Sequence, residues 1–239
     1  MAIADSFCFQ RDDTILNVPI LTPDNSTETE VFVLDGNVSV EFYYRFIVAH
    51  NKIKKAMIAE DDDTLTDLLK DLAVDVLNTD STKTITAYDV ETKFSNIRLL
   101  TQLYGWASGV CSKLSEMVNN SDLFSIPNIQ ISNAPTPTAA ERALQKMDTD
   151  IELMEGIVFV SQHTHNSFSD VMKMPYLVFQ SHLKHIHLSQ LLENKEWREK
   201  YLQAKYEIES KKPENQSLSR NKKNPDMDGL MRLGGLING

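Results

Sequence analysis

The fold is decided first by residues 31–46, which read VFVLDGNVSVEFYYRF. A run of four apolar residues is followed by Asp35-Gly36-Asn37, a composition that suits positive φ and therefore a hairpin turn. From Val38 to Phe46, apolar and polar side chains alternate with the period of a strand that has one buried face. These residues predict a β-hairpin within a small β region at residues 1–46.

The rest of that β region contributes one more extended segment. Ile15 to Leu21 is apolar and is interrupted by Pro19, which cannot donate a ladder hydrogen bond. Proline is tolerated at the edge of a sheet and not at its centre. We therefore expect an edge segment at 15–21.

Helical patterns occupy most of the remaining chain. Apolar side chains recur every three or four residues, and the acidic cluster at 60–63 suits a helix start, where carboxylates meet unpaired N–H groups. Gly105 and Gly109 lie inside the longest stripe and mark a close helix crossing or a break. In the first half, the predicted elements are helical residues 47–78 with a turn near 60–63, a polar turn at 79–86, and a helix at about 88–119. In the second half, a helix begins at a capping box formed by Thr138 and Glu141 and carries Ile151, Met154 and Val158. Three more helices follow: one that is capped by Ser169 and stops at Pro175, one from Tyr176 to Leu192, and one from Lys195 to Ser210.

Composition shifts divide the chain into four parts. Pro, Asn and Ser at 123–137 predict a linker between a hairpin-plus-helix domain at 1–122 and a helical domain at 138–212. Residues 213–239 are polar with an apolar end, which predicts a flexible tail. The predicted fold class is α+β and mainly α-helical, with a small N-terminal β-hairpin region packed on a helical body, a helical C-terminal part and that tail.

Charge and cysteine content exclude several classes of function. The 239-residue chain carries a formal net charge of −10 at pH 7, which repels phosphate backbones and anionic lipid. No apolar run approaches the ~18 residues of a membrane span, and the start shows no signal-peptide pattern. The two cysteines form no CxxC and fit a reducing compartment. We therefore expect a cytoplasmic protein that binds neither nucleic acid nor membrane.

Histidines form the sharpest candidate for a metal site. Five of the six fall within 25 residues, and imidazole is a common zinc ligand. No HExxH occurs, and His182 and His185 have no carboxylate at a ligand offset in the same helical turn. Packing or polar-face positions are therefore favoured, and a metal-dependent enzyme stays an alternative. The five are His163, His165, His182, His185 and His187.

Other chemistry-bearing residues favour structural roles. The acidic residues Asp61 to Asp63 lack the Gly and Glu that an EF-hand loop needs, so a solvated helix N-terminus is the better interpretation. Cys111 lies on a predicted interior stripe, which favours a buried, inert thiol over a nucleophile. Phe42, Tyr43 and Tyr44 are a weak base-stacking platform because few basic neighbours accompany them. No catalytic, cofactor-binding or metal site is predicted.

The first half of the chain resembles a group of phage proteins. Within Val40 to Gly109, the segment FYYRF at 42–46 is followed by KIKKAM at 52–57, by an acidic patch and by AYDVETKFSNIR at 87–98. This layout resembles the baseplate hub assembly proteins of T4-like contractile-tailed phages.

A second stretch, Ser161 to Leu183, is similar to phage tail assembly chaperones. SFSDVM at 167–172 precedes Met174-Pro175-Tyr176 and Phe179, like the short helix, proline and long helix of many such proteins. The resemblance implies a helical, non-enzymatic assembly chaperone in the host cytoplasm. Its partner would be the phage tape measure or baseplate hub protein, and it would be absent from the finished virion.

Apolar residues on the late helices and in the tail are the predicted partner contacts. Plain core packing is the alternative for each of them. A structural tail or baseplate subunit retained in the virion is the alternative function, and homo-oligomerisation is left open. The predicted contacts are Tyr176, Phe179, Leu183, Ile186, Leu230, Met231 and Leu233.

Overall fold

A computed structural model describes residues 14–21, 27–120, 129 and 150–211. The predicted α+β, mainly helical class with one small N-terminal hairpin is confirmed. The elements are strands β1 (Thr14–Leu21) and β2 (Thr27–Leu34) and helices α1 (Val40–Ala59), α2 (Asp62–Leu77), α3 (Ala87–Lys93), α4 (Ile97–Asn120), α5 (Asp150–Thr164), α6 (Phe168–Lys173), α7 (Tyr176–Glu193) and α8 (Lys195–Lys211). The chain divides into two compact units, residues 1–198 and 199–239. In the second unit, the described residues are the last part of α8.

The hairpin is antiparallel and pairs Thr14 with Leu34 through Leu21 with Thr27. Side chains alternate as the pleat requires: Phe32 and Leu34 are buried, whereas Val31 and Val33 are exposed. The predicted extended segment at 15–21 is therefore confirmed as part of β1. Its partner strand precedes Asp35, so the predicted turn at Asp35-Gly36-Asn37 does not join the two strands.

The predicted strand at 38–46 is wrong, because α1 begins at Val40. Ser39 caps this helix, its hydroxyl accepting a hydrogen bond from the backbone N–H of Phe42 at 3.1 Å. Alternation assigned Tyr43 to the solvent face, but Phe42, Tyr43 and Phe46 are all buried. Phe42 and Tyr43 are adjacent, and Phe46 lies four positions after Phe42. Burial of all three fits one face of a helix, whereas a strand would bury alternate residues.

The junction between α1 and α2 confirms the predicted turn and helix start. Glu60 ends α1 in the left-handed region, with φ 54°. Asp61 then caps α2, accepting hydrogen bonds from the N–H and the hydroxyl of Thr64 at 3.1 and 2.7 Å. The acidic cluster is therefore a solvated helix N-terminus, as the sequence indicated.

The predicted helix at 88–119 is two helices. It breaks after α3, and Asn96 starts α4 by accepting from the backbone N–H of Arg98 at 2.9 Å. Gly105 and Gly109 do not cause the break, since α4 runs through both. A Cβ added at either glycine would meet no other atom within 4 Å, so neither permits a close crossing. Capping by asparagine, and not helix breaking by glycine, sets this boundary.

The C-terminal helices match the prediction in position and differ in detail. Ser167, not Ser169, caps α6 and forms a capping box with Asp170. Pro175 separates α6 from α7, as expected. The capping box at Thr138, the linker at 123–137 except Ile129, and the tail at 213–239 lie outside the described residues.

One hydrophobic core crosses the predicted domain boundary. Phe32 of the hairpin, Tyr43 of α1 and Leu100 of α4 belong to the same buried cluster as Ile157 of α5 and Phe179 of α7. Buried apolar surface is the main stabilising contribution to a fold. The described parts of 1–122 and 138–198 therefore contribute side chains to the same hydrophobic core.

The turn after α2 fastens the hairpin to the helices. Asp80 is buried there and accepts hydrogen bonds from the N–H of Val33 at 2.9 Å and from the N–H and hydroxyl of Thr82 at 3.0 and 2.6 Å. Lys83 pairs with Glu30 at 2.8 Å. The hydrogen bonds, led by that of the Thr82 hydroxyl, lower the pKa of Asp80 below its usual range.

None of the described helices combines the length and the apolar character that a membrane crossing requires. The longest of them, α4, alternates its buried stripe with exposed polar positions such as Thr101, Gln102 and Lys113. Such an amphipathic pattern fits a helix that packs with one face on a protein core.

A pair of serine variants tests the cap of α6. We expect Ser167→Ala to lower the free energy of unfolding by about 1 kcal/mol, because the Asp170 N–H loses its side-chain acceptor. Ser169→Ala, inside the same helix and exposed, is the matched control and should change it by less than about 0.5 kcal/mol. Urea titration of both variants measures the difference. Equal effects would contradict the assignment of the cap to Ser167.

A second pair of variants tests the fastening of the hairpin. We expect Asp80→Ala to lower the free energy of unfolding at pH 7 by about 1–3 kcal/mol, because the Val33 N–H loses its acceptor. Since the folded pKa of Asp80 is lowered, its contribution is present above about pH 4 and is lost as the pH falls through the folded pKa. The difference between wild type and variant should therefore shrink in acid. The exposed neighbour Ser81 supplies the control, Ser81→Ala, which should show neither effect.

Candidate functional site

Three of the predicted partner contacts form the centre of the core. Tyr176, Phe179 and Leu183 are 0% exposed. The ring of Tyr176 stacks on that of Tyr43 with centroids 3.9 Å apart and planes at 15°. Ile186 is half-buried and packs against the same cluster. In this fold the side chains of Tyr176, Phe179 and Leu183 are not available to a partner, which is the core-packing alternative that the sequence allowed.

The remaining predicted contacts, Leu230, Met231 and Leu233, lie outside the described residues. The structure therefore leaves the docking role of this apolar end as a prediction. Any contact surface found among the described residues must be a different one.

The histidines are spread over three environments. His163 is exposed, and its Nδ1 lies 2.8 Å from the carbonyl oxygen of Phe159, one turn earlier on α5. His165 is exposed with φ 58° in the loop after that helix. On α7, burial and then the neighbouring His185 lower the pKa of His182. Each position is explained by local packing or by helix-end geometry.

The described residues offer no cluster of ligands for a metal ion. Within 14–21, 27–120, 129 and 150–211, no group of three or more His, Cys, Asp or Glu side chains is placed to hold one. His187 is buried on α7, whereas His185 is exposed. The two histidines are therefore directed to different surroundings, as residues two apart on a helix are.

Cys111 and the aromatic triplet of α1 occupy structural positions. Cys111 is buried on α4, and burial raises the pKa of its thiol far above the usual range, which disfavours the reactive thiolate. The expected buried thiol is thus confirmed. Phe42 and Tyr43 are buried, so they present no face to a base. Only Tyr44 of the triplet is partly exposed.

A polar cleft of about 370 Å³ lies where α1 meets the end of α2. Within it Arg45 spans two carboxylates, donating to Asp75 Oδ1 at 2.9 Å and to Glu41 Oε1 at 2.7 Å. Burial raises the pKa of Asp75, and the attraction of Arg45 offsets only part of that effect. The cleft is therefore occupied by an internal ion pair that joins two helices.

An apolar cleft of about 490 Å³ lies between α1 and α5. Tyr44 forms its wall on α1. The outer face of α5 forms the other side, and Ile151 and Val158 on that face are 69% and 41% exposed. The described lining residues are Tyr44, Asp150, Ile151, Met154, Glu155, Val158, Phe159 and Gln162.

The sequence prediction named apolar residues of this helix without identifying the surface they form. It placed Ile151 and Val158 on the helix's apolar stripe, but the structure buries Leu153, Ile157 and Val160 instead. The available signal was that α5 is apolar nearly all round. A helix of that kind buries more than one face, so one of the two stripes needs a cover beyond the core.

Comparisons with known proteins assign no role to this cleft. No family model, no curated protein and no solved structure matches the chain. Its chemistry must therefore be inferred from the side chains that line it. Apolar, concave and partly exposed surfaces of this size are typical of binding sites.

Two α7 variants separate core packing from partner contact. We expect Leu183→Ala to lower the free energy of unfolding by about 2–5 kcal/mol, because a fully buried side chain leaves a cavity. Val178→Ala, on the same helix but 42% exposed, should change it by less than about 0.5–1 kcal/mol. Thermal or urea unfolding measures both. A Leu183→Ala variant as stable as wild type would contradict the placement of α7 in the core.

Proposed function

We propose that the chain is a non-enzymatic assembly chaperone that binds a phage tape measure or baseplate hub protein during tail morphogenesis in the host cytoplasm. Two lines support the proposal: the resemblance of 40–109 and 161–183 to phage assembly proteins, and the apolar cleft between α1 and α5. The resemblance supplies the identity of the partner. The cleft supplies a surface on which a partner can bind.

The apolar cleft is the observation that carries the proposal. Ile151 and Val158 expose large apolar side chains on one helix face, and Met154 and Phe159 continue that face into the cleft. Contiguous exposed apolar surface costs free energy in water and marks sites that another molecule covers. A protein whose task is to cover another protein's apolar surface needs such a site.

The physical need for such a chaperone lies in its proposed partner. A tape measure or hub chain exposes apolar helix surface before it is assembled, and such surface aggregates. An acidic chain, with net charge −10, keeps a complex apart from other complexes through like-charge repulsion. Apolar contact and acidic charge together suit transient protection.

Co-expression with a phage tape measure or hub protein tests the proposed function. We expect the tagged protein to capture that partner and to be missing from mature particles. Val158→Asp should weaken capture, because a carboxylate would be buried in the contact. Val178→Asp, a valine of nearly equal exposure on α7, is the matched control and should capture normally.

The composition of purified particles separates the alternatives. A fixed copy number of the protein in mature particles would contradict the chaperone role and identify a structural subunit. Failure of the wild-type protein to capture either phage protein would remove the proposed partner. Circular dichroism of the two Asp variants should show the wild-type helical content in each, so that a change in capture reports on the surface and not on unfolding.

A further inference from the structure

The apolar outer face of α5 has the spacing of a helix–helix contact. Ile151, Met154 and Val158 follow one another at three and four residues, which places them in one row along the helix. A different row of the same helix, Leu153, Ile157 and Val160, is already buried in the core. The exposed row is therefore a second seam, parallel to the one that holds α5 in the fold.

A helix fits this seam better than an extended peptide does. Rows at three- and four-residue spacing accept the ridges of another helix, and the groove between Tyr44 and α5 runs beside such a row. An extended peptide gains its affinity by pairing with the edge of a sheet. The described walls of this groove belong to helices, and beyond the first turn of α5 their backbone groups are already used within those helices.

The charge at the groove favours a basic occupant. Among the described lining residues, Asp150 at the start of α5 supplies an acidic side chain and none is Lys or Arg. The whole chain has a net charge of −10, so its field attracts positive partners within about one Debye length of its surface. A second copy of this chain would bring the same net charge and the same Asp150 carboxylate to the contact, and like charges oppose that pairing.

We infer that the groove between Tyr44 and the outer face of α5 binds an amphipathic helix of the partner, with an apolar stripe at three- and four-residue spacing and Lys or Arg on its flanks. The inference rests on the proposed function, whose partner it describes in chemical terms. The apolar stripe covers Ile151, Met154 and Val158. The basic flanks lie beside Asp150.

Two designed peptides of about 18 residues, or five helical turns, are the probes. Both carry the same Leu stripe, and one has Lys on its flanks while the other has Glu. Fluorescence anisotropy with the full-length protein at low salt should show the Lys peptide binding at least about tenfold more tightly. The difference should shrink in about 1 M salt, where exposed charges are screened.

Variants of the protein locate the binding site of the peptide. Val158→Asp should weaken binding of the Lys peptide by about tenfold or more, because it puts a charge in the centre of the seam. Val178→Asp should leave it unchanged. Asp150→Asn should reduce the preference for the Lys peptide while leaving binding of the Glu peptide unchanged or slightly improved.

Three results would overturn the inference. Equal affinity for both peptides would contradict the inferred Lys or Arg flanks of the partner helix. An unchanged affinity of the Val158→Asp variant for the Lys peptide would show that the peptide does not bind in the groove. A wild-type dimer in sedimentation that Val158→Asp dissociates would show that a second copy fills the seam. The co-expression test can fail independently of the peptide test. If the peptide binds but no phage protein is captured, the helix-binding groove stands and the chaperone role is rejected. If a phage protein is captured equally well by Val158→Asp, the chaperone role stands and the groove is rejected as its binding site.

Discussion

Two backbone hydrogen bonds hold the beginnings of α1 and α7 side by side, and much of the fold is arranged around them. The N–H of Val40 donates to the carbonyl of Met174 at 2.9 Å, and the N–H of Tyr176 donates to the carbonyl of Val38 at 3.0 Å. First-turn N–H groups have no acceptor within their own helix. Here a carbonyl just before each helix accepts the hydrogen bond of the first N–H group of the other helix. The stacked rings of Tyr43 and Tyr176 lie directly beside this crossing. Residues distant in sequence are thereby brought into one core.

Local signals in the sequence were sufficient for much of the helical framework. The turn at 60–63 depends on side chains and backbone within a few residues, and Pro175 marks locally where one helix ends and the next begins, which the sequence displays directly. The strand predicted at 38–46 failed because alternation over a few residues is compatible with a helix that is buried on a broad face. That face of α1 is broad because α2, α4 and α7 all contribute residues to the cluster around it. No local pattern contains this information.

The candidate site was less accessible to sequence analysis than the fold. Both apolar rows of α5 have helical spacing, and nothing within the helix states which one turns inward. The choice is made by packing against α1 and α7, and Ile157 of α5 and Phe179 of α7 belong to the same buried cluster. Tyr176 was similarly ambiguous, since an aromatic residue at a helix start suits a partner contact and a core position equally. Burial, which decides both cases, is a property of the assembled chain and not of the segment.

The fastening of β2 by Asp80 also bears on how the hairpin behaves toward other chains. A two-stranded sheet leaves a free edge on each strand, and free edges recruit further strands. The N–H of Val33 points away from β1 to the Asp80 carboxylate, so a side chain occupies the place where the carbonyl of an added strand would lie. Lys83 and Glu30 put charges beside the same edge, and charged side chains discourage strand pairing. The contact that joins the hairpin to the helices thus also closes the β2 edge at this point against strand addition and amyloid-like stacking.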